Sequence, residues 1–171
     1  SGEGEAAMVR LARGERDFPD LVRLEQGRAV VSEHRSYLDL SQLPEMTRDL
    51  VDNPRYQRLG GHVGFETKRG CAAVCTYCAD PLSKGGRVRL RPAEAVATEV
   101  GHLVDQGVVD LHTCDSEFNR PPGHALAVCE ALIARGLGSR IRWHAYCAPS
   151  PFPDELALRM RQAGCAGIML G

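Results

Sequence analysis

Residues 63–78 of the chain read VGFETKRGCAAVCTYC. The first six residues, 63–68, favour a β-strand. Three cysteines with the spacing C-x3-C-x2-C follow, and Tyr77 stands directly before the last of them. The stretch therefore predicts a strand that leads into a loop rich in thiols.

Short strands and amphipathic helices alternate from residue 61 to the end of the chain. After the strand at 63–68, the pattern predicts strands at 108–114, 141–147 and 166–170, with helices at 92–106, 122–135 and 153–163 between them. Pro92 and Pro153 fit the first helical turn, where no backbone N–H is needed. Four strands joined by three helices favour an α/β fold with a parallel sheet.

The first sixty residues are less regular. Residues 5–13 predict a short amphipathic helix, and 21–24 and 28–33 predict two strands joined by a turn at Gly27, where a positive φ is easily adopted. Residues 36–61 contain many helix breakers and predict a linker with one short helix near 44–51. Both ends of the sequence look internal, so we expect a longer protein.

Composition narrows the class of protein. The 171 residues include 43% hydrophobic and 25% charged residues, as in a globular protein, and 21 Lys and Arg balance 22 Asp and Glu. We therefore expect no nucleic-acid partner. No apolar run could span a bilayer and no signal segment is recognisable, so we expect a cytoplasmic protein without a membrane partner. Seven cysteines, an odd number, fit poorly with a secreted disulfide framework.

The three clustered cysteines suit an iron–sulfur site. Iron takes soft thiolate ligands, and short spacers allow Cys71, Cys75 and Cys78 to wrap one face of a [4Fe–4S] cube. Three ligands leave one iron open, and this iron can chelate the amino and carboxylate groups of S-adenosylmethionine (SAM). The alternatives are buried free cysteines or a zinc site, although zinc usually needs a fourth Cys or His at related spacing and none lies nearby.

Polar residues lie where the predicted strands end, which is where parallel sheets bind ligands. Residues 115–119 read DSEFN, and Asp115 or Glu117 could accept a hydrogen bond from an ammonium group. The alternative for this segment is a helix N-cap cluster. Alternation along 141–147 places Arg142, His144 and Tyr146 on the face opposite the helices, and the same logic places Glu66, Lys68, Asp110 and His112 there.

Two further sets of residues have less specific patterns. Cys114, Cys129, Cys147 and Cys165 share no spacing and are predicted to be core residues. The basic residues Lys84, Arg87, Arg89 and Arg91 follow the cysteine loop. They indicate a solvated face, or a contact to carboxylate or phosphate groups of a cofactor.

The cysteine segment resembles the cluster motif of the radical SAM superfamily, whose pattern also has an aromatic residue at the place of Tyr77. The resemblance implies that residues 62–171 are the first four strands of a partial (βα)6, TIM-like barrel. It also implies that Tyr77 contacts the adenine of SAM. Many members hold the amino group of SAM with a Gly-Gly-Glu-like stretch, which this chain replaces, so Asp115, Glu117, Asn119 and Tyr146 become the SAM-binding candidates.

Other stretches are similar to radical SAM enzymes with an N-terminal cobalamin-binding domain: GEGE at 2–5, TKRGC at 67–71 and AGCAG at 163–167. This resemblance implies that residues 1–15 are the tail of the cobalamin domain and that 16–61 are a linker with a short hairpin. It implies a methyltransferase with a [4Fe–4S] cluster, SAM and cobalamin as cofactors, and leaves room for an external electron donor.

The segment CADPLSK at 78–84 resembles the tryptophan 2-C-methyltransferases of thiopeptide antibiotic biosynthesis. The substrate would then be a small molecule such as tryptophan, methylated at an unactivated carbon, and Tyr146 is the candidate base. Two other classes stay open at this point. One is a cobalamin-dependent enzyme that rearranges or cyclises its substrate through a 5′-deoxyadenosyl radical, and the other is a non-catalytic metal-binding module.

Overall fold

A computed structural model describes residues 3–18, 21–31 and 37–171. The chain divides into two compact units. The first comprises the residues up to Leu43 together with Gly70–Arg89, and the second comprises Pro44–Arg69 and Leu90–Gly171. The cysteine loop belongs to the first unit, whereas the segment 115–119 and Tyr146 belong to the second.

The elements are numbered in chain order. The strands are β1 (Val22–Glu25), β2 (Arg28–Val31), β3 (Val63–Phe65), β4 (Lys68–Arg69), β5 (Arg89–Leu90), β6 (Asp110–Thr113), β7 (Arg142–Cys147) and β8 (Cys165–Leu170). The helices are α1 (Glu5–Ala12), α2 (Asn53–Arg58), α3 (Asp80–Ser83), α4 (Ala93–Asp105), α5 (Pro122–Ala134) and α6 (Asp154–Gln162), with a 3-10 turn at Leu40–Gln42.

A four-stranded sheet in the order β3-β6-β7-β8 forms the centre of the second unit. Each neighbouring pair is parallel, and the register places His112 beside His144 and Tyr146 beside Met169. This confirms the predicted α/β class and the four parallel strands. The partial barrel stays a prediction.

One face of this sheet is buried under α4, α5 and α6. In α4 the buried residues Val96, Val100, Leu103 and Val104 recur at helical spacing. They join the buried side chains of β6 and β7 in one core, where Trp143 donates a hydrogen bond to the carbonyl of Ala163 at 2.8 Å. Burial of each large aliphatic side chain contributes about 1.5–3 kcal/mol to stability. The described residues of the opposite, open face are half-buried or exposed.

The first unit contains the predicted hairpin. Strands β1 and β2 pair antiparallel, and Gln26 and Gly27 form the connecting turn with φ of 51° and 78°. Two positive φ values are typical of the type I′ turn, which is why glycine is favoured there. Residues 32 and 33 of the predicted second strand lie outside the described residues.

The predicted helix near 44–51 is wrong. The helix of this region is α2, which starts after Asp52, whose carboxylate accepts a hydrogen bond from the N–H of Arg55 at 2.9 Å. This N-cap and Pro54 in the first turn fix the start of the helix.

Among the described residues, no helix is both long and apolar enough to cross a membrane.

Candidate functional site

The cysteine loop presents three free thiols. Cys71 is half-buried, and Cys75 and Cys78 are exposed. The loop begins at Gly70, which has a φ of 91°, and a Cβ there would lie 2.1 Å from the carbonyl oxygen of Arg87. Only glycine fits this position without a shift of the backbone. The loop is therefore held at its start and accessible at its sulfurs.

The donor set fits an iron–sulfur cluster, although the ligands are not gathered in advance. Within the described residues, no three His, Cys, Asp or Glu side chains form a ready metal site. The Asp80 N–H lies 3.4 Å from the Cys78 Sγ, and such hydrogen bonds to sulfur tune cluster potentials. Three accessible thiols on one short loop can close around a cluster as it binds. Ligation by Cys71, Cys75 and Cys78 stays a prediction.

The remaining cysteines are poor ligands, with one exception to their predicted burial. Burial raises the pKa of Cys129 to about 12 and that of Cys165 to about 11, and it also raises the pKa of Cys147. These three thiols belong to the core or pack against it, as predicted. Cys114 is exposed, so its predicted core position is wrong. The alternation of β6 turns residue 114 to the open face, above Gly64, where a Cβ would approach its sulfur to 2.7 Å.

Asp115 is buried and fully engaged by the protein. One carboxylate oxygen accepts hydrogen bonds from the N–H groups of Thr67 and Lys68, at 2.9 and 3.3 Å. The other accepts from the Thr67 hydroxyl at 2.6 Å and lies 3.7 Å from the Lys68 Nζ. Asp115 thus fixes the chain three to four residues before Cys71, rather than offering a free oxygen to a cofactor.

Asn119 is likewise buried and serves the fold. Its amide nitrogen donates to the carbonyls of Ala148 and Pro151 at 2.9 and 2.8 Å, and its oxygen accepts from the Ala148 N–H at 2.8 Å. These bonds tie the segment after β6 to the segment after β7. Of the three predicted residues in this stretch, Glu117 alone keeps a partly exposed carboxylate, which lies 3.3 Å from Arg120.

Lys68 is a residue that the strand alternation misplaced. Strand β3 ends at Phe65, so the alternation does not reach Lys68, which is buried. Its Nζ donates to the carbonyls of Glu117 and Phe118 at 2.6 and 3.0 Å. Desolvation by burial lowers the pKa of Lys68, and Asp115 opposes this shift. A cation placed between a buried strand and the cysteine loop is the sequence signal for this network.

His124 completes the buried network and was not singled out by the sequence. Its Nε2 lies 3.0 Å from the Thr67 carbonyl oxygen, which can only accept, so Nε2 carries the proton. Burial lowers the pKa of His124, and the nearby charge of Lys68 lowers it further. The neutral imidazole therefore supports Thr67, one of the two residues that Asp115 fixes.

The open face of the sheet carries the predicted polar set of β7. Trp143, Ala145 and Cys147 are buried, while Arg142 and Tyr146 are exposed and His144 is half-buried. The rings of His112 and Tyr146 meet edge to face with centroids 5.4 Å apart. The rings of His62 and His144 stack at 4.9 Å. The side chains of Asp110 and Glu66 are half-buried, and burial raises the pKa of Glu66 against the influence of Arg69.

Three of the four basic residues after the cysteine loop have structural partners. Lys84 pairs with Asp80 at 3.3 Å, and Arg89 pairs with Glu3 at 2.7 Å. Arg91 is buried, where it pairs with Glu99 at 2.6 Å and donates to the carbonyl of Glu66 at 2.6 Å. A wholly solvated face is therefore the wrong interpretation for these three residues.

Tyr77, the predicted adenine contact, is 85% exposed on the cysteine loop. Tyr146, the other predicted aromatic contact, is 48% exposed on the open face of the sheet. The two residues belong to different units. Both aromatic side chains are accessible to a ligand.

Comparison with known proteins identifies relatives of this chain. No protein-family model matches the chain. The Tryptophan 2-C-methyltransferase of Streptomyces laurentii is 37% identical over an alignment of 149 residues that covers 81% of this chain and 25% of that enzyme. The chain therefore spans about a quarter of the length of this relative.

Solved structures agree with this relationship. The radical SAM methyltransferase TsrM of Kitasatospora setae, with cobalamin and a [4Fe–4S] cluster bound, superposes with a TM-score of 0.86 at 33% identity, over 99% of this chain and 37% of that one. The same enzyme with tryptophan and a SAM analogue bound gives a TM-score of 0.83. The cobalamin-dependent radical SAM enzyme OxsB shares the fold, with a TM-score of 0.73 at 17% identity over 99% of this chain and 27% of that one. The chain thus belongs to the family of cobalamin-dependent radical SAM enzymes.

Proposed function

We propose that the chain is part of a methyltransferase in which Cys71, Cys75 and Cys78 hold a [4Fe–4S] cluster whose open iron binds SAM. The single observation that carries the proposal is the loop of three free thiols with C-x3-C-x2-C spacing, which follows β3, the first strand of the parallel sheet, and the short strand β4 along the chain. The identity to Tryptophan 2-C-methyltransferase supports it.

In this proposal residues 62–171 supply the first four strands of a partial (βα)6 barrel, residues 16–61 are a linker with a hairpin, and residues 1–15 are the tail of a cobalamin-binding domain. The open face of the sheet would then form part of the barrel lumen. The strand order and the likeness to TsrM support this assignment.

Each side chain near the site receives a role that suits its surroundings. Tyr77, exposed on the cysteine loop, contacts the adenine of SAM. Glu117 accepts a hydrogen bond from the SAM ammonium, since its carboxylate is partly exposed and lies 3.3 Å from Arg120. Asp115 and Asn119 position these elements, because their polar atoms are already bonded to the protein. The predicted SAM contacts of Asp115 and Asn119 are thereby replaced by positioning roles.

The substrate proposed is tryptophan, methylated at C2, because TsrM binds tryptophan. Bound cobalamin would supply the methyl group, and SAM would replenish it. Replacement of an aromatic C–H by C–CH3 releases a proton, and the phenolate oxygen of Tyr146 is the proposed acceptor, which becomes the hydroxyl. An external electron donor would keep the cluster reduced.

Anaerobic reconstitution of the full-length protein with iron and sulfide tests the cluster. We expect about four irons per chain, and their loss in Cys71→Ala. Cys114→Ala is the matched control, because Cys114 is an exposed cysteine outside the loop and its removal leaves the iron content unchanged. Binding of one zinc per chain, or equal iron content in both variants, would overturn the cluster.

Product analysis tests the reaction separately. Incubation of the reconstituted full-length protein with SAM, cobalamin and tryptophan is expected to give 2-methyltryptophan and S-adenosylhomocysteine. Formation of 5′-deoxyadenosine with a rearranged substrate and no methylated product would instead establish the radical class of reaction.

A further inference from the structure

The first unit contains a cavity beside the cysteine loop. Its volume is about 420 Å³, and its walls come from residues 37–39 and 85–89: Tyr37, Leu38, Asp39, Gly85, Gly86, Arg87 and Arg89. Cavities of this size accommodate small molecules. The cysteine loop shares a wall with it, because the N–H of Cys71 donates to the carbonyl of Gly85 at 3.1 Å.

Arg89 forms a rigid part of the wall. Its guanidinium donates to the carbonyls of Leu38 and Lys84 at 3.0 and 2.7 Å, and both terminal nitrogens reach the carboxylate of Glu3, at 2.7 and 2.8 Å. It also lies 4.9 Å from the ring centre of Tyr37. With its charge matched and its donors engaged, Arg89 has little capacity left to bind a ligand.

Arg87 differs from the other cations of this stretch. Lys84, Arg89 and Arg91 each pair with a carboxylate, whereas the exposed Arg87 side chain has no hydrogen bond or ion pair among the described residues. Its backbone is fixed, because the Arg87 carbonyl packs against Gly70 at the start of the cysteine loop. Among the residues that line the cavity, Arg87 thus carries an uncommitted guanidinium, whose donors suit a carboxylate or a phosphate group.

The opposite charge in the cavity is already engaged. The Asp39 carboxylate accepts from the N–H and hydroxyl of Ser41, at 3.0 and 2.8 Å, and these bonds lower the pKa of Asp39. Asp39 therefore stays ionised and repels an anion from its own side of the cavity. Tyr37 and Leu38 add apolar surface for the body of a ligand.

We infer that this cavity binds a small molecule through a carboxylate or phosphate group held by Arg87. Under the proposed function, on which the choice of probes rests, two sources share this chemistry: the carboxylate of tryptophan and the phosphodiester of cobalamin. SAM is the third probe because it also carries a carboxylate. The proposed function assigns that carboxylate to the open iron, and the test asks whether Arg87 binds it instead.

The test compares Arg87→Gln with Arg58→Gln in the full-length protein, with equilibrium binding of tryptophan, cobalamin and SAM measured separately. Arg58 is the matched control because it is an exposed arginine of the second unit with no ion pair among the described residues. Loss of a charged hydrogen bond is expected to weaken one ligand roughly tenfold to a hundredfold. Arg87→Lys is expected to restore part of this affinity and to steepen its salt dependence relative to Arg87→Gln.

The pattern of loss identifies the ligand. Weaker tryptophan alone indicates the substrate carboxylate, weaker cobalamin alone indicates the phosphodiester, and weaker SAM alone places its carboxylate at Arg87 and counts against chelation by iron. Dissociation constants of all three within twofold of the Arg58→Gln values overturn the inference. Iron content of the same samples tests the cluster independently, so failure of the cluster and failure of this site are distinguishable.

Discussion

Replacement of Glu99 by glutamine should markedly lower the temperature at which the second unit unfolds. Glu99 is 1% exposed in α4, and its carboxylate pairs with the guanidinium groups of both Arg48 and Arg91. The two arginines also donate to the carbonyls of Gly64 and Glu66, at 2.9 and 2.6 Å. These carbonyls lie along the free edge of β3, because Phe65 between them bonds toward β6.

The size of the effect follows from burial. Glu99→Gln keeps the volume but leaves one fully buried and one largely buried guanidinium without a counter-charge. Removal of one partner from a buried ion pair costs about 3–5 kcal/mol. At about 2–4 °C per kcal/mol for a chain of this size, the melting temperature should fall by about 6–20 °C.

Thermal melts followed by far-UV circular dichroism measure this change, and Glu94→Gln provides the control on the same helix. Glu94 is 71% exposed and lies 3.3 Å from Arg135, so its loss should cost less than about 1 kcal/mol. Equal melting temperatures for the two variants would refute the reasoning, because the buried charges would then contribute no more than an exposed pair.

Three further changes test the residues that hold the chain at and before the start of the cysteine loop. Asp115→Asn leaves Lys68 buried without its counter-charge, so it should destabilise the protein by about 3 kcal/mol or more and reduce iron retention, while Glu117→Gln should leave the melting temperature nearly unchanged. His124 has a lowered pKa, so the folded state binds fewer protons than the unfolded state below about pH 6.5, and stability should fall as the pH drops through that range. The free energy of unfolding, measured with denaturant between pH 5 and 8, should depend less steeply on pH in His124→Gln than in the unchanged protein. The same pH dependence in both proteins would contradict the lowered pKa of His124. Gly70→Ala forces a Cβ to 2.1 Å from the Arg87 carbonyl at a φ of 91° and should cost more than about 2 kcal/mol, with loss of iron; Gly86→Ala, where a Cβ meets nothing, is the control.

Local patterns were sufficient to predict the sheet. The period of two in β7 and the helical spacing in α4 depend on neighbours only a few residues away, so both are visible in the sequence. The cysteine spacing is equally local. The signal that places the helix after Asp52, and not at 44–51, is also local, because Asp52 caps α2.

Side-chain roles at the strand ends could not be predicted, because their partners are distant in sequence. Asp115 binds Thr67, which lies 48 residues earlier, and Asn119 binds Ala148, which lies 29 residues later. The sequence offered three polar candidates in one segment but no means of deciding which of them the fold would bury. Cys114 was misplaced because it directly follows β6 and continues the outward-facing set of Asp110 and His112.

The burial of Asp115 accompanies the replacement, by segment 115–119, of the Gly-Gly-Glu-like stretch found in many radical SAM enzymes. The Asp115 carboxylate is buried and both of its oxygens are engaged by Thr67 and Lys68, so a cofactor would have to compete with these partners. Lys68 in turn holds the carbonyls of Glu117 and Phe118, so the chain before the cysteine loop and the segment after β6 are joined from both sides. A change at Asp115 would therefore disturb both the residues that precede the cysteine loop and the segment that contains Glu117, whereas a change at Glu117 would alter one carboxylate. The contrast between Asp115→Asn, which should affect folding and iron, and Glu117→Gln, which should affect SAM binding alone, separates positioning from contact in this site.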